Sequence, residues 1–174
     1  PGTPSIIESI AQRQKDHPDL FVRGAATDPK VVDLYHRKIG DKVSVVAASA
    51  VKDQFAYWQK ELKKMGFAII HDKTIVIDPI SDDCVVITGS HNLGYAASFQ
   101  NDEQMLIIRG NRTVAQMYAV HIMDIYDHYR WRYQLEQNKG GRNTFFGLEP
   151  DDSWQNKYFA SGNPARNDLR IWFE

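Results

Sequence analysis

Cysteine is nearly absent: Cys84 stands alone in 174 residues. An intrachain disulfide is therefore excluded, and nothing in the chain calls for an oxidising compartment. Long apolar runs are missing as well, so no membrane-spanning helix is expected. Charge of one sign is also lacking. The formal net charge is −1, from 21 Lys and Arg against 22 Asp and Glu. That excludes a strongly basic coat for nucleic acid and leaves room for a small local basic site. Internal repeats and low-complexity tracts are absent, which excludes solenoids and linker-like segments. What is present, 43% hydrophobic and 25% charged residues, is the composition of an ordinary domain with a sizeable core. The first residue is Pro1, not Met. A processed or partial chain is therefore expected, with no secretory signal in view.

The N-terminal residues read as a turn entering a helix. Either Thr3 caps it with Pro4 at the first helical position, or Ser5 and Glu8 form a capping box. Ile6, Ile7, Ile10 and Ala11 give it an apolar stripe, and His17-Pro18 ends it. Strands are expected at Leu20–Val22 and Val43–Ala48, with a short helix around Val31 to Tyr35 between them. Val51–Met65 reads as a helix stopped by Gly66. Strands follow at Phe67–Ile70, Thr74–Ile77, Cys84–Thr88 and Gln104–Ile108. Asn111 then caps the longest helix, about Arg112 to Gln137. The expected class is α/β, a mixed β-sheet flanked by helices. Residues 1–141 are expected to form the domain, and the aromatic-rich residues 142–174 an irregular tail packed on it. A helix feeding straight into a strand usually follows another strand, so a strand upstream of Pro1 is expected.

Chemistry concentrates in His71-Asp72-Lys73, Gly89-Ser90-His91-Asn92 and Glu103. Side chains two apart on a strand share a face, so His71 and Lys73 point the same way. A histidine beside a fixed cation suits an anion. Gly89 allows close approach of backbone to a ligand. Ser90 and Asn92, also two apart, offer neutral donors. Brought together, these groups suit phosphate, whose charge is spread over several oxygens.

These residues resemble the phospholipase D superfamily signature, HxKxxxxD followed by GSxN. His71, Lys73 and Asp78 match the first part, and Gly89, Ser90 and Asn92 the second. Ten residues separate Asp78 from Gly89, more than the family has, and are expected to form a lengthened hairpin turn. The resemblance runs from about Ser5 to Gln137 and implies a phospholipase D-like half-domain.

It implies that His71 is nucleophile or general acid/base, acting through a phosphohistidine without a metal or other cofactor. Lys73 and Asn92 would hold phosphoryl oxygens, with Ser90 adding a hydrogen bond. Glu103 would orient the imidazole and stabilise its charged form. Asp78 and Gly89 would be structural. The chain holds one such motif, so a second half-site is expected, from a dimer mate or an upstream half of a longer chain. The expected activity is hydrolysis or transfer of a phosphodiester. A phospholipid is favoured because the chain lacks the positive charge of phosphate-backbone binders. A nuclease and a non-catalytic binding or scaffold domain are the alternatives. A cytoplasmic or peripheral membrane location would suit that chemistry.

Other features carry plainer expectations. His121, Asp124 and His128 share a helix face, which admits a metal but more commonly gives a hydrogen-bond network. Trp131 between Arg130 and Arg132 is expected to pack, with its arginines reaching solvent. Lys60, Lys63 and Lys64 are expected on a solvated helix face, and Cys84 in the core.

Overall fold

The computed structural model describes residues 3–17, 19–27, 30–31, 38–39, 42–43, 45–47, 70–137, 151–163 and 165–174. It is an α/β structure with both parallel and antiparallel pairing. The chain divides into two compact units. One comprises residues 1–20, 71–122 and 171–174, and the other residues 21–70 and 123–170.

The first unit begins with helix α1, Ile6–Asp16. Of the two caps the sequence allows, the Ser5 box forms. The Glu8 N–H donates to the Ser5 hydroxyl, and the Ser5 N–H donates to the Glu8 carboxylate. That backbone bond, followed by the Ser5 hydroxyl, holds the Glu8 carboxyl below the usual carboxylate range. Three antiparallel strands follow: β5 (Thr74–Ile77), β6 (Val85–Gly89) and β7 (Met105–Arg109), with β6 in the middle. The four strands before β5, which are β1 (Gly24–Ala26), β2 (Lys38–Ile39), β3 (Lys42–Val43) and β4 (Val45–Ala47), belong to the second unit. The strands expected at Thr74–Ile77, Cys84–Thr88 and Gln104–Ile108 are recovered within one residue at their ends.

The long turn between β5 and β6 is closed by backbone bonds from Ser81 to Asp78 and from Cys84 to Ser81. It leaves the pairing intact, Thr74 opposite Thr88 and Ile77 opposite Val85. Val76, Val86 and Ile108 lie directly opposite one another across the three strands. With buried Cys84 they form an apolar row that receives Ala115. A methyl side chain lets helix and sheet approach closely. Ala115 belongs to helix α3, Arg112–Gln137. Its expected cap is present: the Val114 N–H donates to Asn111 Oδ1 at 3.1 Å. Between β6 and β7 lies the short helix α2, Tyr95–Phe99.

In the second unit, β1 (Gly24–Ala26) pairs in parallel with β4 (Val45–Ala47), and β2 (Lys38–Ile39) pairs antiparallel with β3 (Lys42–Val43). The strand expected at Leu20–Val22 does not form. The Leu20 N–H closes a turn on the His17 carbonyl. Phe21 lies 4.4 Å beneath the Arg23 guanidinium instead of in a ladder. Ile70 is not in a strand either, since its N–H donates to the Thr27 hydroxyl at 2.9 Å. The expected helix at Val51–Met65 and the rest of the 67–70 strand lie outside the described residues, as does most of the short helix near Val31.

The last segment is more regular than expected. After a 3-10 turn at Ser153–Gln155 come α4 (Asn156–Phe159) and α5 (Ala165–Phe173). Asn163 Oδ1 accepts from the Ala165 N–H at the start of α5. Asp168 on α5 is buried and pairs with Arg23 at 2.9 Å. The two side chains retain only 4% and 2% of their exposure.

Candidate active site

Antiparallel pairing decides which loops meet. β5 begins where β6 ends, and β7 begins there too, because Thr74 faces Thr88 and Gly89 faces Met105. Residues 71–73 precede β5, residues 90–92 follow β6, and Glu103 precedes β7. One end of the sheet therefore gathers His71, Lys73, Ser90, Asn92 and Glu103. Asp78 is not among them. It follows β5 at the opposite end, with a left-handed φ of 46° and its carbonyl in the Ser81 turn.

Gly89 makes the close approach possible. Its φ is +148°, and a Cβ there would lie 2.2 Å from the Gln104 carbonyl oxygen. The next residue locks the two strand ends together. The Ser90 N–H donates to the Gln104 carbonyl at 3.0 Å, and the Gln104 N–H donates to Ser90 Oγ at 2.9 Å. The Ser90 hydroxyl itself donates to Glu103 Oε2 at 2.5 Å. Its single proton is thus directed at Glu103, and Ser90 supports that carboxylate. Asn101 Nδ2 donates to the other oxygen at 3.4 Å.

The Ser90 bond, helped by Asn101 and by the charge on Lys73, holds the Glu103 carboxyl below the usual range against some desolvation. Glu103 therefore presents a stable negative charge at neutral pH. Among the described residues its hydrogen bonds go to Ser90 and Asn101, and none reaches His71.

His71 is exposed, and the half-buried Lys73 lies two residues on. The Lys73 ammonium donates to the His71 carbonyl at 2.7 Å, which fixes the cation beside the histidine and leaves it two further protons for an anion. Asn92 is exposed on the same loop end. On the other side of the motif, Asp72 Oδ1 lies 3.7 Å from His121 Nε2, a solvent-facing contact. An exposed histidine, a held ammonium, an exposed amide and a hydrogen-bonded carboxylate can together bind an anion and carry a proton or a nucleophile to it.

Two contributors were not picked out from the sequence. Gln104 enters only through the β6–β7 register. His91, the variable position of GSxN, is buried and hydrogen-bonded, as described below. No described helix is long and apolar enough to cross a membrane.

A family model described as "Cardiolipin synthase, PLD-like domain" matches residues 22–124, more than half of the chain. No curated protein and no solved structure matches it. The motif spacing, the hairpin that carries it and this match agree: the chain belongs to the phospholipase D superfamily, through its PLD-like domain family.

Proposed function

We propose that the chain supplies one half-site of a phosphodiesterase that hydrolyses or transfers a phospholipid phosphodiester through a phosphohistidine. One observation carries this reading: His71, Lys73, Asn92 and Glu103 converge on one end of a single antiparallel sheet. The family description, which names a cardiolipin synthase, supports a lipid over a polynucleotide. So does the net charge of −1, since polynucleotide binders neutralise many phosphates with Lys and Arg.

In the first step, His71 as neutral imidazole attacks phosphorus. The P–N bond forms as the P–O bond to the leaving alcohol breaks, and that oxygen takes a proton from an acid on the second half-site. Water or another alcohol then attacks the phosphohistidine, gives up its proton to that same group, and frees His71. Lys73 and Asn92 hold the non-bridging oxygens as charge builds on them. Glu103, held by Ser90, keeps a negative charge near the cationic groups and stabilises the imidazolium character that develops on His71. The second half-site comes from another copy of the chain or from an upstream half of a longer chain. If His71 instead serves as the general acid, the same residues hold phosphate and the nucleophile lies on the other half.

The test compares release of labelled headgroup from phospholipid vesicles with cleavage of DNA over a salt series. Turnover on vesicles, lost in His71→Ala, is expected. DNA cleavage that falls steeply with salt, with vesicles untouched, would replace the lipid reading with a nuclease. Turnover of neither by the assembled protein would leave a binding domain.

A further inference from the structure

His91 lies between the two residues of its loop that face the site, Ser90 and Asn92, yet it points inward and is only 9% exposed. Its Nδ1 accepts from the Leu93 N–H at 2.9 Å. An acceptor nitrogen carries no proton, so the ring is the neutral tautomer with its proton on Nε2. Nε2 lies 3.2 Å from the Ser98 hydroxyl on α2 and donates to it. The Ser98 hydroxyl in turn donates to the Gly94 carbonyl at 3.1 Å. Donors and acceptors alternate without conflict from Leu93 through His91 and Ser98 to Gly94.

Leu93 explains what this chain of bonds is for. Its φ is 63°, a left-handed conformation that a leucine does not hold by itself. Such a residue persists only where its surroundings fix it. Here the N–H is held by His91, and the carbonyl accepts from the Ile7 N–H of α1 at 3.3 Å. Asn92 sits between the buried ring and the fixed leucine, so its backbone is set from both sides while its side chain stays exposed.

We propose that His91 is a positioning residue: by accepting the Leu93 N–H it holds the 90–94 loop in the shape that presents Asn92 to a phosphate group. The inference rests on the reading of Asn92 as a phosphate-binding residue. His91 takes no part in the chemistry. The ring nitrogen reaches an N–H two residues ahead, as the side chain of Asn does in an Asx-turn. Asparagine at 91 can therefore replace it, whereas phenylalanine fills the space without offering an acceptor.

The test uses the full chain and inorganic phosphate as the probe, with affinity read from amide chemical shifts and exchange of the Leu93 amide read alongside. His91→Phe is expected to weaken phosphate about 3- to 10-fold and to speed Leu93 exchange, the size of effect that one lost hydrogen bond gives. His91→Asn is expected to stay within about 2-fold of the parent on both readouts, since it keeps that bond. Ser98→Ala, at an exposed position, is expected to weaken phosphate about 2- to 3-fold by loosening the ring, and it carries the test if His91→Phe does not fold.

Unchanged phosphate affinity in His91→Phe or, failing that, in Ser98→Ala, with Asn92→Ala clearly weakened, overturns the positioning role alone. Failure of His91→Asn to restore affinity overturns it too. If Asn92→Ala and Lys73→Ala also leave phosphate affinity unchanged, the phosphate-site reading itself falls, and the role of His91 with it.

Discussion

Ser90 carries two duties with one oxygen: it accepts the Gln104 N–H and donates to Glu103. Removing that oxygen has a readable consequence. With Ser90→Ala, the Glu103 carboxyl should titrate higher, back toward the ordinary carboxylate range, because its main stabilising bond is gone. The sign for the intact protein follows from the depressed folded value. The Ser90–Glu103 bond favours the fold at neutral pH, and that contribution is lost as pH falls through the lowered pKa of Glu103. A carbon-detected titration of the Glu103 carboxyl reads both. An unchanged midpoint in Ser90→Ala would show that the bond does not govern the carboxylate. The residue types at this site were legible because HxK and GSxN have fixed local spacing. The partner of Glu103 was not, since it depends on the pairing of Gly89 with Met105 across two strands.

Helices and strands were legible where their signals are local. The Ser5 box, the Asn111 cap and the strands around the motif are set by neighbouring residues, and the structure follows them. The misread elements answer to distant partners. Phe21 leaves the expected 20–22 strand to lie under Arg23, whose own partner is Asp168, 145 positions away. Helix α5 did have a local signal: Asn163-Pro164 at its start, then Ala165, Leu169 and Trp172 at helical spacing. The density of aromatics around it hid that pattern. Asp168 fastens α5 through a pair that solvent scarcely reaches. Asp168→Ala should therefore cost about 3 to 5 kcal/mol, since it strands a buried guanidinium. Chemical denaturation measures this, and a loss below about 1 kcal/mol would place the pair in the class of exposed salt bridges.

At the scale of the whole molecule, the chain carries one complete HxKxxxxD motif, on one hairpin sheet within a PLD-like domain. Composition had bounded the molecule as one ordinary domain, whereas the proposed function makes it half of a catalytic centre. With a net charge of −1, the proposed function assigns the capture of an anionic substrate to a local cation, Lys73, fixed on the His71 carbonyl. The proposed second half-site, from another copy or from an upstream half of a longer chain, is not encoded in the local patterns of these residues. The central claim is that His71 takes the phosphoryl group. Its most direct test is to quench the assembled protein during turnover of a phosphorus-labelled phosphodiester and map the label by mass spectrometry. Label on His71, absent in His71→Ala, is the expected result. Label that persists at another residue in His71→Ala would contradict it.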